Sequence, residues 1–197
     1  MLAAGRGERF GPESKLLREL AGVPIVRRAV DAARASGLAP VVVVVPEGRV
    51  GDTIGRAVGK GVEVVVNPDP GRGISSSLVV ALDALDPRPD VDAVVVGLGD
   101  QPLVGAEAYR RVADASTTGA TIAVAIYGGE RRNPVVLDRS LWPAARALTG
   151  DEGARALMRD HPVREVPCDG TGDPADIDRP DDLEELRARC ASTTSFE

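Results

Sequence analysis

Three apolar runs, Val41 to Val45, Val62 to Val66 and Ala93 to Leu98, constrain the fold of this chain more than any other feature. Each has strand length, and the first two are rich in β-branched residues, the pattern of strands buried on both faces. Helical patterns separate them. After Pro24, which suits a first helical turn, Ile25, Val26, Ala29, Val30 and Ala33 share one face opposite Arg27, Arg28, Asp31 and Arg34, and Gly37 ends the helix. A second helical stretch runs from about Val50 to Gly59, and a third carries Leu78, Ala81, Leu82 and Leu85 as its buried stripe. Strands alternating with amphipathic helices make βαβ units. The expected fold is therefore α/β: a single-domain, mostly parallel sheet with helices on both faces.

The later half continues the pattern less regularly. It reads as a helix over 106–115, a strand from Thr121 to Ile126, a loop from Gly128 to Pro134 and a short apolar run from Val135 to Leu137. A helix around Leu141 to Leu148, another opened by Gly150 to Arg155, a strand from Val163 to Val166 and a closing helix begun by Asp176 to Leu183 follow. One domain over 1–190 is expected, with the Ser- and Thr-rich segment 191–197 as a flexible tail.

Composition excludes several classes. No apolar run approaches the ~18 residues of a membrane span, and a net charge of −6 offers no basic face for nucleic acid. Cys168 and Cys190 have neither metal spacing nor the look of a disulfide framework, which with the lack of a secretory signal indicates the cytoplasm. The single histidine, His161, has no evident Ser or Cys partner for a nucleophilic triad.

Charge is unevenly spread. The opening segment, Leu2-Ala3-Ala4-Gly5-Arg6-Gly7-Glu8-Arg9-Phe10-Gly11 through Lys15, joins glycines to Arg6, Arg9 and Lys15, a composition that suits a phosphate chain but also a solvated turn. It matches neither the Walker spacing nor GxGxxG, because Phe10 stands where the third glycine belongs. Asn67 to Ser77 follows the second run and leads into a helix, where Ser75 and Ser76 serve either as caps or as ligands for phosphate, ribose or base oxygens. Gly99-Asp100-Gln101-Pro102 closes the third run, and its aspartate suits a hard cation or an Asx turn. Acidic residues crowd 169–182, with Asp181 and Asp182 placed to favour the dipole of the closing helix.

Taken in order, LAAGxGxRFG with Lys15, GISSSL, GDQP, RNPV, GDxGAR and DIDRPDDL resemble the molybdenum cofactor nucleotidyltransferases, a family with a Rossmann-like sheet. Within it, LAAG and GDQP, through Ala4 and Gln101, resemble the cytidylyltransferases. The resemblance implies attack by the terminal phosphate of molybdopterin on the α-phosphorus of CTP, with loss of pyrophosphate. By the same resemblance Leu2, Ala3, Ala4, Gly5, Arg6, Gly7 and Lys15 hold the nucleotide, and Arg6, Lys15 and Asp100 carry catalysis. Asn67, Gly73, Ser75, Ser76 and Ser77 lie on its base and ribose side, and the Arg131 to Pro134 loop is either a place for the anionic pterin or an exposed hairpin. Asp100 and Asp178 bind Mg²⁺. Two carboxylates about 4 Å apart repel by ~4 kcal/mol at a surface-like dielectric, so such a pair needs a cation between them. Asp176 competes with Asp178, and the segment is expected to present only one of the two. The implied partners are CTP, molybdopterin, and a molybdoenzyme or its chaperone as acceptor, with no nucleic acid and no membrane.

The chain departs from the family in one respect. Members carry a further apolar run before LAAG as the central strand, and the expectation is a true start upstream of Met1, since otherwise neighbouring strands leave backbone groups unpaired at about 1–3 kcal/mol each. Three further readings remain: a transferase for another phosphorylated acceptor such as a sugar or lactate phosphate, an oxidoreductase of the nicotine blue oxidoreductase type on the same fold, and a non-catalytic carrier of molybdopterin.

Overall fold

A computed structural model of the chain describes residues 1–5 and 14–193. Two short strands, β1 (Glu19–Leu20) and β2 (Val23–Pro24), pair antiparallel ahead of α1 (Ile25–Ala35). Next come β3 (Val42–Pro46), α2 (Arg49–Ala57) and β4 (Glu63–Asn67), a βαβ unit with parallel strands. Helix α3 (Ile74–Leu85) leads to β5 (Ala93–Val96), and α4 (Ala106–Thr117) leads to the hairpin of β6 (Ile122–Tyr127) and β7 (Glu130–Asp138). The chain closes with α5 (Trp142–Arg146), a 3-10 helix at Ala154–Arg159, β8 (Arg164–Pro167) and α6 (Pro180–Thr193). Of the expected tail, residues 191–193 continue α6, and 194–197 lie outside the described residues.

Beyond the β1-β2 pair the strands form two ladders, β4 with β3 and β5-β7-β6-β8, joined among the described residues only by residues 1–3. Leu2 N–H donates to Gly97 and Leu2 C=O accepts from Gly99, both at 2.9 Å, while Val44 N–H donates to Met1 and Ala3 N–H to Val44, also at 2.9 Å. The stub runs parallel to both neighbours and makes one sheet. The expected gap in the sheet is thus bridged at its carboxyl end. An apolar cleft of about 390 Å³ lies beside Met1, walled by Val42, Leu85, Val94 and Tyr109.

The mostly parallel sheet follows from the alternation of strands and helices, and its one reversal is β7. Gly128 and Gly129, at φ 56° and 80°, turn the chain back in two residues. Arg131 and Arg132, expected in a loop, therefore sit in the ladder opposite Ile126 and Ala125. The register shifts between Val124 and Ala125, so Asn133 and Pro134 form a bulge.

Alternation puts each strand's side chains into two cores. Leu2, Val42, Val44, Val96, Ile122, Val124 and Leu137 meet α3 and α5 on one face, through Leu78, Leu82 and Trp142. Ala3, Val43 and Val45 meet α1, α2 and α6 on the other, and Ala123, Ala125 and Val136 meet α4. The exception is β4, an edge strand rather than a doubly buried one: it pairs only with β3, and Val64 and Val66 are 40% and 51% exposed. Cys168 is buried and free. No helix among the described residues is long and apolar enough to cross a membrane.

Candidate active site at the carboxyl end of the sheet

The stub ends at Gly5, β4 at Asn67, and the extension of β5 at Asp100, all at one edge of the sheet. Ligands of open α/β sheets bind outside such strand ends. A cavity of about 320 Å³ lies there, lined by Leu2, Ala3, Ala4, Gly5, Lys15, Leu16, Pro70, Gly71, Gly73, Ile74, Ser77, Leu98, Asp100 and Asp151. Eight of the residues singled out from the sequence are among them: Leu2, Ala3, Ala4, Gly5, Lys15, Gly73, Ser77 and Asp100. Arg6, Gly7 and Arg9 lie outside the described residues.

Asn67, Ser75 and Ser76 do not line the cavity but build its wall. Buried Asn67 donates through Nδ2 to Ser76 Oγ at 2.9 Å and to Ser77 Oγ at 3.0 Å, and its Oδ1 accepts from Asp69 N–H at 3.0 Å. Ser76 Oγ donates to Gly73 C=O at 2.8 Å. Ser75 reaches the other way, its hydroxyl donating to Gly150 C=O at 2.9 Å. The loop before α3 is thereby tied to the loop carrying Asp151. Their closest approach is at Gly73, where φ is +89° and a Cβ would stand 2.2 Å from the Gly150 carbonyl carbon and oxygen.

Asp100 sits where the chain leaves β5 and meets Asp178 although 78 residues separate them. Residues 100–105 and 171–177 run antiparallel and zip together: Gly105 N–H to Thr171 C=O and Asp173 N–H to Leu103 C=O, both 2.9 Å, and Ile177 N–H to Asp100 C=O, 3.1 Å. Gln101, almost fully buried, adds side-chain bonds to Pro174 C=O at 3.0 Å and to Asp176 Oδ1 at 2.6 Å. Its amide therefore holds the segment that carries Asp176 and Asp178, and it is not part of the cavity lining.

Between the carboxylates stands Lys15, its Nζ 2.7 Å from Asp100 Oδ2 and 2.8 Å from Asp178 Oδ1. Burial alone would lower its pKa, but the two carboxylates together hold it above the usual lysine range. Asp100 Oδ1 is buried and accepts no hydrogen bond from the described residues. An ionised oxygen without a donor is costly in a protein interior.

The expectation that only one of Asp176 and Asp178 faces the site is corrected. Residues two apart in an extended segment share a face, and it is Ile177 that turns into the core. Burial, then the nearby Asp100, push the Asp176 carboxyl above its usual range despite the bond from Gln101, and Asp178 adds to the shift.

A hard divalent cation fits this donor set. Asp100 offers an unclaimed buried oxygen, and Asp178 a second carboxylate. Among the described residues no three His, Cys, Asp or Glu side chains converge on a point. Such a cation would draw its other ligands from water or a phosphate chain, as Mg²⁺ commonly does. The Arg131 to Pro134 segment does not line the cavity. Arg131 pairs with Glu165 at 2.8 Å and Arg132 with Glu130. Arg155 is close enough to Arg132 and Asp176 to feel both charges, although burial contributes more to its lowered pKa.

Asp151, Pro70, Gly71 and Leu98 line the cavity without having been singled out as site residues. For Asp151 the GDxGAR segment was a signal. Pro70, Gly71 and Leu98 carry no polar side chain that would mark them as site residues.

The sequence profile of the MobA-like NTP transferase domain matches residues 1–166. The bifunctional protein GlmU of Sorangium cellulosum is 31% identical over 175 residues, covering 84% of this chain and 36% of that protein, so the chain spans little more than a third of that relative. The nicotine blue oxidoreductase of Paenarthrobacter nicotinovorans is 29% identical over 188 residues, 90% of each chain. Among solved structures, the complex of Rv0371C from Mycobacterium tuberculosis H37Rv with manganese superposes with a TM-score of 0.80 at 29% identity over 95% of each chain.

Gly73→Ala should cost about 2 kcal/mol or more, because the new Cβ meets backbone on the facing loop at a φ that L-residues avoid. Tm should fall by about 4–8 °C. An unchanged Tm would mean that the two loops separate without cost.

Proposed function

Because the chain belongs to the MobA-like NTP transferase family, we propose that it is a nucleotidyltransferase that moves CMP from CTP to the terminal phosphate of molybdopterin. The observation that carries this reading is Asp100, a strand-end carboxylate with one buried, unclaimed oxygen, set against Asp178 and Lys15 beside a cavity floored by the Leu2 to Gly5 loop. The choice of CTP rests on Ala4 and Gln101 as residues of LAAG and GDQP, with Gln101 acting through the Asp176 segment that it holds.

In this reading a phosphate oxygen of the acceptor forms a bond to the α-phosphorus, the bond from that phosphorus to the β-bridging oxygen breaks, and pyrophosphate leaves. A Mg²⁺ held by Asp100 and Asp178 would neutralise phosphate oxygens as charge shifts to the leaving group. The chain's own work is positioning. Backbone N–H groups of the opening loop would bind the phosphates, with Arg6, Gly7 and Lys15 assigned to the same task by motif. Asn67, Gly73, Ser75, Ser76 and Ser77 shape the base and ribose side, and Asp151 supplies an acceptor there. Arg155, close enough to Asp176 and Arg132 to feel both charges, would offer positive charge to an anionic acceptor.

The likeness to the nicotine blue oxidoreductase across nine-tenths of both chains supports a second reading, reduction with a nicotinamide cofactor. Calorimetric titration with CTP, GTP and NADPH, each with and without Mg²⁺, separates the two. Under the transferase reading CTP binds only with Mg²⁺, more tightly than GTP, and Asp100→Ala loses at least tenfold in affinity. Binding of NADPH without any nucleoside triphosphate would replace that reading with the oxidoreductase.

A further inference from the structure

The geometry points to a role for Lys15 beyond phosphate binding: we infer that its ammonium is a built-in stand-in for the metal ion, closing the cation site until a triphosphate draws it away. The inference rests on the reading of Asp100 and Asp178 as metal ligands. Lys15 Nζ sits within hydrogen-bond distance of both carboxylates, at 2.7 and 2.8 Å, and only 11% of its side chain is exposed. That is a position from which a single positive charge reaches both side chains, and a divalent ion held by the same two residues would need much the same space. The two cations exclude one another by volume and by charge.

The exclusion leaves a visible residue. Lys15 reaches Asp100 through Oδ2, and Asp100 Oδ1 remains buried with no hydrogen bond from the described residues. A lysine at that position can engage one oxygen of Asp100 but not both, whereas a metal with its water shell or a bound phosphate reaches further round the carboxylate. The site is therefore held closed by a partner that satisfies it incompletely.

Lys15 is also free to be recruited. It opens a 3-10 helix of three residues, Lys15–Leu17, and lines the same cavity as Ala4 and Gly5. A triphosphate lying along those residues offers its ammonium new oxyanions a side-chain swing away, and the swing vacates the position between the carboxylates. Metal and nucleotide then enter together: the phosphate chain removes the stand-in and supplies the remaining ligands of the ion that replaces it. The free protein stays metal-poor, and neither carboxylate is left without a counter-charge at any stage.

The test is Mn²⁺ binding by electron paramagnetic resonance, on wild type, Lys15→Gln and Lys15→Arg, with and without inorganic triphosphate. Wild type should bind Mn²⁺ at least tenfold more tightly with triphosphate than without. Lys15→Gln should bind Mn²⁺ alone at least tenfold more tightly than wild type does, with most of the dependence on triphosphate gone. Lys15→Arg, which keeps the charge, should stay as metal-poor as wild type. If Lys15→Gln is unfolded in metal-free buffer, the titration is read as recovery of far-UV circular dichroism, and recovery at Mn²⁺ levels that wild type ignores supports the exchange. Equal Mn²⁺ affinity of wild type and Lys15→Gln without triphosphate, or a failure of Mn²⁺ to restore the fold, overturns the inference and leaves the transferase reading standing. No Mn²⁺ binding by any of the three under either condition overturns both.

Discussion

The structure depends on the backbone of its first three residues. Without the bonds from Met1, Leu2 and Ala3 to Val44, Gly97 and Gly99, the two ladders share no strand and the sheet is split between β3 and β5. Leu2 and Ala3 also send side chains into opposite cores, so the same short segment joins the two layers of helices as well as the two ladders. Having crossed the sheet, the chain emerges at the strand ends as Ala4 and Gly5, which places the phosphate-loop candidate beside Asp100. The fold and the site share this origin.

Around that segment, a second constraint gathers charge. Two carboxylates from distant parts of the chain are brought together by main-chain bonds between 100–105 and 171–177, and these bonds are indifferent to charge. The backbone creates the electrostatic problem, and Lys15 answers it from a third region. Pair energies in such a place vary steeply with local dielectric. Replacing one cation by another is therefore a softer change than removing a cation outright.

Much of this was legible in the residues. The valine runs report strands, and alternating burial of Val42 to Val45 across two cores follows from a period of two. The joining of Lys15, Asp100 and Asp178 was legible only as motif order, because nothing in their spacing reports the antiparallel zip. β4 read as a buried strand because Val64 and Val66 are β-branched, and residue type cannot say whether a strand lies at an edge. Arg131 to Pro134 read as a loop because Asn and Pro mark turns, whereas the turn itself is made by Gly128 and Gly129 and the later pair forms a bulge. The motif drew attention to Gln101, whose buried amide turns inward to the 174–176 segment.

The family profile ends at residue 166, yet Ile177 and Asp178 follow it. The strands of the sheet are almost complete by that point, since β8 ends at Pro167. What comes after is a strap: a loop laid along 100–105, one buried isoleucine, and a helix. Ile177, Leu183 and Leu186 pack this strap into the core shared with α1 and α2, so the place of Asp178 beside Asp100 is set by the docking of the last segment of the fold.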